Sequence, residues 1–148
     1  METVLILFGC VVYGIANSYF LARAIKKGYA RAQDNDETPR IAILKSVFIG
    51  MLTSNPVILP CVMCLQVLLG ILMDPGRFLD LDFGVLLLGV FVCANMYAMI
   101  GLVVGLLQGL ITGLVCFLTA RWGHQTCSVV GTCSSWVVAA WVAYGLSS

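Results

Sequence analysis

The stretch from Val85 to Thr119 contains neither a charged residue nor a proline. The apolar run around it, Phe83 to Ala120, would form a helix of roughly 55 Å at ~1.5 Å per residue. That length exceeds the roughly 30 Å of hydrocarbon in a bilayer. Two complete spans would need a tight turn, and residues 85–119 offer no proline or charged residue to make one. We therefore expect one long helix, about 84–119, which tilts strongly, projects from the bilayer or begins as an interfacial stretch.

The composition is that of a membrane protein. Hydrophobic residues make up 61% of the chain and charged residues 10%, and the mean hydropathy is +1.02. Soluble domains of this size carry far more charge. The net charge of +1 gives no indication of a nucleic-acid partner. We expect a single membrane domain over residues 1–148, in contact with lipid and with other membrane helices.

Three further apolar runs predict an all-α protein with four transmembrane helices, arranged as two hairpins. The expected helices cover about 4–22, 46–73, 84–119 and 129–146. Between the first two lies a polar segment, 23–45, which we expect to be a loop. It holds most of the basic residues of the chain, namely Arg23, Lys26, Lys27, Arg31, Arg40 and Lys45. The positive-inside rule places this loop in the cytoplasm and both termini on the other side.

A stripe of glycines marks the third expected helix. Gly101, Gly105, Gly109 and Gly113 recur at every fourth position, so they share one helix face. Each glycine costs a helix interior roughly 0.8–1.0 kcal/mol relative to alanine. Small residues in membrane helices allow two backbones to approach closely. The stripe therefore predicts a helix-packing face, either as an ordinary seam or as the inner wall of a ring of helices.

The first expected helix has a shorter stripe of the same kind, formed by Gly14, Ser18 and Ala22. We expect it to be a second packing face. Asn17 lies within the same apolar run, and we expect it to hydrogen-bond to a neighbouring helix.

Polar residues interrupt the second expected helix at Thr53, Ser54 and Asn55, next to Pro56 and before Pro60. Each proline removes a backbone donor and favours a kink. The hydroxyls of Thr53 and Ser54 could satisfy the freed carbonyls. Polar groups at mid-membrane are also candidates for a ligand or ion contact.

Gln66 and the basic residues of the 23–45 segment are predicted to make contacts with other helices or with a soluble partner. Gln66, in the second expected helix, is expected to form an interhelical hydrogen bond. The 23–45 loop is a solvated turn, with a possible docking surface for a soluble partner at Lys26, Lys27, Arg31 and Arg40.

No residue pattern indicates catalysis, a metal or a cofactor. Cys61 and Cys64 form a CxxC pair inside an apolar run, without the second pair that a structural zinc site needs. His124 is expected in a short loop, 121–126, and not as a ligand. No nucleophile–base pair and no glycine-rich phosphate loop is apparent. We therefore expect a protein that is not an enzyme.

Two stretches together resemble the proteolipid ring subunits of vacuolar-type rotary ATPases. The glycine-rich segment GLVVGLLQGLITG, Gly101 to Gly113, resembles the third helix of that family. The segment IKKGYARAQDNDETPRI, Ile25 to Ile41, is similar to its first cytoplasmic loop. The resemblance implies a double-hairpin fold, luminal termini, an endomembrane or vacuolar-type location and homologous ring subunits as partners.

This chain departs from that family in its carboxylates. The family carries a membrane-embedded acid that binds the transported ion, whereas no acid of this chain falls inside an expected span. The acidic residues are Glu2, Asp34, Asp36, Glu37, Asp74, Asp80 and Asp82. A hydroxyl or amide cannot bind and release a proton near neutral pH as a carboxylate can. The resemblance therefore implies a structural or rotor role within an ion-transporting complex, without proton binding by this chain.

Two other functions remain compatible with the sequence. One is a small four-helix assembly or adaptor subunit of another membrane complex. The other is an oligomeric transporter or channel that uses the break at Ser54, Asn55 and Pro56, because broken helices build such sites.

Overall fold

The computed structural model describes residues 2–34, 38–76 and 82–147, and nearly all of them are helical. The four α-helices are α1 (Glu2–Asp34), α2 (Pro39–Met73), α3 (Phe83–Thr119) and α4 (His124–Ser147), and a 3-10 turn (Ala120–Trp122) joins the last two. The prediction of an all-α protein is confirmed. The third apolar run forms one continuous helix of 37 residues, as its lack of prolines and charged residues over 85–119 indicated.

Within the described residues, three helices are long and apolar enough to cross a membrane. They are α1 from Val4, α2, and α3 together with the turn that follows it. A multi-pass membrane protein is consistent with this result, because each helix exceeds the roughly 20 residues that a span requires.

The segment 23–45 differs from the loop that the sequence predicted. α1 continues through Arg31 to Asp34, and α2 begins at Pro39. Leu21, Ala24 and Ile25 on α1 belong to one buried cluster with Ile43 and Val47 on α2. The spacing of these apolar residues gives each extension a packing face, and this stabilises the helix beyond the uncharged run. The side chains of Lys26, Lys27, Arg31 and Arg40 are exposed on the outer faces of these helices.

The expected loop over 121–126 is also shorter in the structure. Only Gly123 separates the 3-10 turn from α4, with φ of 100°. This left-handed conformation favours glycine. His124 is therefore the first residue of α4 and not a loop residue, and its ring lies 5.2 Å from that of Tyr29.

Each helix packs mainly against two neighbours. α2 packs between α1 and α3, and α4 packs against α1 and α3. α1 and α2 are antiparallel, because Gly28 near the end of α1 faces Ile43 near the start of α2, whereas Gln66 late in α2 contacts Leu5 early in α1. The four helices thus form an antiparallel bundle, with both ends of the described chain at the end opposite the α1–α2 connection.

Two apolar clusters fill the bundle. One lies toward the α1–α2 connection and includes Leu21, Val47 and Cys116. The other includes Tyr13, Ile58, Val62 and Val104. In sequence, a buried polar residue lies between the two clusters on each of α1, α2 and α3, namely Asn17, Asn55 and Gln108. A polar layer therefore crosses the middle of an otherwise apolar core.

Candidate functional site

The glycine stripe of α3 lies against the backbone of α2. A Cβ atom built on Gly101 would lie 2.7 Å from the Asn55 carbonyl oxygen, and one on Gly105 would lie 2.7 Å from that of Met51. At Gly109 the nearest atom is the Phe48 carbonyl oxygen, at 3.2 Å, and at Gly113 it is Leu44 Cδ1, at 3.0 Å. The partner of the stripe is therefore a helix of the same chain, and the two backbones are in direct contact.

The stripe on α1 is only partly a packing face. A Cβ atom on Gly14 would clash with the ring of Trp136 on α4. Ser18 accepts a hydrogen bond from Trp136 Nε1 at 3.0 Å and donates to the Gly14 carbonyl oxygen at 2.8 Å. Ala22, in contrast, is exposed, because the helix turns that position away from α4.

A hydrogen-bonded network links all four helices at the polar layer. Tyr13 Oη on α1 donates to Asn55 Oδ1 on α2 at 2.5 Å. Asn55 Nδ2 donates to Gln108 Oε1 on α3 at 3.2 Å and to the Met51 carbonyl oxygen at 2.9 Å. Gln108 Nε2 donates to Ser135 Oγ on α4 at 2.6 Å. Each helix contributes one side chain, and all four side chains are buried.

The network is composed entirely of neutral groups. Amides and hydroxyls of this kind do not ionise near neutral pH and therefore cannot carry a transported proton as a carboxylate does. Their physical role is to fix which helix faces which, since a mispaired arrangement would leave buried donors and acceptors without partners at about 1–3 kcal/mol each. The network therefore specifies the register of the bundle.

Sequence reasoning identified only Asn55 among these four residues. Tyr13, Gln108 and Ser135 were not singled out. Gln108 carried a usable signal, because it is the one amide within the glycine-rich segment 101–113. Ser135 offered none, because small hydroxyl residues are common in apolar helices of every kind.

The other polar residues of α2 lie outside the network. Thr53 is exposed and donates to the carbonyl oxygens of Ile49 and Gly50. These are not the carbonyls that Pro56 and Pro60 leave free, which belong to Leu52 and Pro56, so Thr53 does not compensate the prolines as expected. Gln66 donates to the Leu5 carbonyl oxygen on α1 at 2.9 Å.

Several buried polar atoms form no hydrogen bond within the described residues. These atoms are both amide atoms of Asn17 and the hydroxyl oxygens of Ser46, Ser54 and Thr112. The expected interhelical bond of Asn17 is therefore absent from the described contacts, although its side chain is fully buried. The expectation that the Ser54 hydroxyl would satisfy a freed carbonyl is likewise not met.

The acidic residues that the structure describes lie at helix ends or next to them. Glu2 is the first residue of α1 and Asp34 is the last, and Asp74 follows α2. Asp82 caps α3, where its side chain accepts from the Gly84 amide at 3.0 Å. Asp36, Glu37 and Asp80 lie outside the described residues. Among the described residues, no three His, Cys, Asp or Glu side chains come together in a way that could hold a metal ion.

The outer surface of α3 is the second notable feature. From Phe83 to Ile100 no residue of the helix is buried, and the exposed side chains include Phe83, Leu87, Leu88 and Phe91. Gly89 has no atom of another residue near the position of a Cβ. Except for Asn95 and Tyr97, the side chains of this half of α3, residues 83–100, are apolar, and most of them are exposed.

Comparison of the chain with known protein families, with curated protein sequences and with solved structures gives no match.

Proposed function

We propose that this chain is a non-catalytic structural subunit of a larger membrane complex. The observation that supports this role best is the uncovered half of α3. A helix of 37 residues is roughly 55 Å long. Even at a tilt of about 40° it covers roughly 42 Å along the membrane normal, more than the roughly 30 Å of hydrocarbon. Other membrane helices of a complex would cover the apolar part of α3 that the chain's own helices leave exposed.

The interior of the bundle supports the same role. Its four network side chains, one from each helix, bond to one another. The backbone contact between α2 and α3 leaves no room even for a methyl group at Gly101 or Gly105. A tightly packed bundle of this kind favours a rigid structural part over a catalyst. In this proposal α4 is the fourth span, the helices form two transmembrane hairpins, and both termini are non-cytoplasmic.

The resemblance to vacuolar-type proteolipids suggests a rotary ATPase ring as the host complex. The chain would occupy one place in that ring beside relatives that carry the acid, and the exposed cations at Lys26, Lys27 and Arg31 would face a cytoplasmic stalk. The glycine stripe supports this host less directly than the sequence suggested, because its partner helix is α2 of the same chain.

Transport through the break at Ser54, Asn55 and Pro56 is less well supported. The amide of Asn55 is already bonded to Tyr13, Gln108 and Met51. A solute would have to displace those buried bonds before it could bind there.

Isolation of the chain from its native membrane in mild detergent tests the proposal. A tagged chain of 15.9 kDa should elute in a much larger assembly with other membrane proteins in fixed stoichiometry. Replacing Phe83 and Leu87 by alanine should release it, whereas the same change at the exposed Leu114 and Leu118, in the other half of α3, should not. A chain that remains monomeric in detergent and in lipid would overturn the proposal. ATPase subunits in the assembly would identify the host as a rotary ATPase, and their absence would leave only the broader role.

A further inference from the structure

The exposed face of α3 contains a seam with the spacing of a coiled coil. Leu88, Val92, Asn95, Met99, Leu102 and Leu106 follow one another at intervals of four, three, four, three and four residues. This 3.5-residue period is the one with which two helices pack side by side. All six side chains are exposed, and we call them the α3 seam.

The α3 seam is distinct from the face that packs inside the bundle. At ~100° per residue, the seam positions fall within about 40° of one helical direction, whereas Gly105, Gln108 and Thr112 point roughly 100–160° away from it. One face of α3 therefore packs inside the bundle, and the seam is exposed on a different face.

Asn95 is the polar member of the seam. Its Nδ2 donates to the Phe91 carbonyl oxygen of its own helix at 2.8 Å. Within the described residues, its carbonyl oxygen and its second N–H have no partner. Water is absent from hydrocarbon, so an exposed amide there is costly unless another helix supplies a partner.

We propose that the α3 seam pairs with the α3 seam of a second copy of this chain, and that Asn95 of each copy hydrogen-bonds to Asn95 of the other. The amide is self-complementary, because it offers both a donor and an acceptor. Copies inserted in one membrane share one orientation, so two α3 helices related by a two-fold axis along the membrane normal run parallel. Equal positions then meet at equal depth, which places the two amides together.

This pairing goes beyond the proposed function, because it requires two copies of the chain in one membrane, and a ring that holds a single copy would exclude it. It also requires that Asn95 lies within the hydrocarbon. A single polar residue at one position of an apolar seam fixes its register. Contact between identical faces also closes at two copies, whereas a ring would require one contact to repeat.

Disulfide crosslinking of the full chain in lipid vesicles tests the geometry. The starting chain has the cysteines at positions 10, 61, 64, 93 and 133 replaced by serine, and it retains the buried Cys116 and Cys127. Met99→Cys in this chain should give a covalent dimer on mild oxidation. Restoring Cys93, which is exposed on the same helix but roughly 140° from the seam centre, should give much less. A ladder of higher oligomers, or equal crosslinking at both positions, would overturn the pairing.

Energy transfer between labelled copies in vesicles tests the energetics. Asn95→Leu should weaken the dimer about 5- to 30-fold, in line with interhelical hydrogen bonds of amides. Leu106→Ala should weaken it as well, whereas Leu107→Ala should not. These two leucines are matched, since they are 43% and 44% exposed but point about 100° apart. A monomer at every protein-to-lipid ratio, or a dimer insensitive to Asn95→Leu, would refute the proposal.

Discussion

Asn55 on α2 and Gln108 on α3 are joined by a buried hydrogen bond of 3.2 Å from Nδ2 to Oε1. The bond lies in the same interface where Gly101 and Gly105 contact the α2 backbone. The close approach and the polar bond depend on each other, since amide side chains reach across an interface only when the two backbones are near. This pair is the centre of the α2–α3 interface.

Asn55→Leu should destabilise the bundle by about 1–3 kcal/mol, because it removes the buried hydrogen bonds of Asn55 to Tyr13 and Gln108 and leaves Tyr13 Oη only the Gln108 Oε1 acceptor, at 3.1 Å. Unfolding by a denaturing detergent, followed by helical circular dichroism, measures the change. Thr53→Val is the control, because Thr53 is exposed and bonds only within its own helix. It should alter stability by less than ~0.5 kcal/mol.

A double-mutant cycle on Asn55 and Gln108 separates their bond from the other effects of each substitution. Residues that share one hydrogen-bond network show coupling of about 0.5–3 kcal/mol. We expect coupling within that range for alanine at both positions. Strictly additive effects would contradict the network.

Gly105→Ala and Gly89→Ala should have opposite effects on stability. The new Cβ at position 105 would lie 2.7 Å from the Met51 carbonyl oxygen, which is a backbone atom and cannot move away cheaply. The helices must separate, with a loss of about 1–3 kcal/mol, as is typical for overpacking. Gly89 meets open space, so alanine there should be neutral or stabilising by up to ~1 kcal/mol. Detergent unfolding of the two variants checks the difference in sign.

The sequence predicted much of the architecture because its strongest signals are periodic. The continuity of α3 followed from a run without prolines or charged residues. The packing face of α3 followed from the four-residue spacing of Gly101, Gly105 and Gly109. Which helix would fill that face could not be predicted, since small residues accept any backbone and carry no information about the partner.

The predicted end of α1, at residue 22, was too early because charge was given more weight than periodicity. The cations at 23–31 suggested a loop, yet Leu21, Ile25 and Gly28 keep the spacing of one helix face, and all three are buried. The polar network was largely missed for a different reason. Tyr13, Gln108 and Ser135 lie on three different helices, and only the folded chain brings them together.

Residues 23–34 should exchange their backbone amides slowly, because they belong to α1 and pack on α2. A Cβ on Gly28 would lie 2.7 Å from Ile43 Cα, which shows how close the two helices are. Hydrogen exchange followed by mass spectrometry should find peptides from this region protected, as in stable helices. Gly28→Leu should accelerate exchange there and leave peptides from 83–95, at the opposite end of the bundle, nearly unchanged. Rapid exchange across 23–34 in the unmodified chain would favour a loop.

Both chain termini should be found on the non-cytoplasmic side of the membrane. α4 runs antiparallel to α1, as the contacts of Trp136 with Gly14 and of His124 with Tyr29 show. If α1 crosses the membrane, α4 must return its C-terminal end to the side of residue 2. The cations along 23–45 favour the cytoplasm for the opposite end of the bundle. Reporter tags at each terminus, tested by protease protection in sealed vesicles, should both report the non-cytoplasmic side. A C-terminal tag that reports the cytoplasm would mean that α4 does not span the bilayer beside its neighbours.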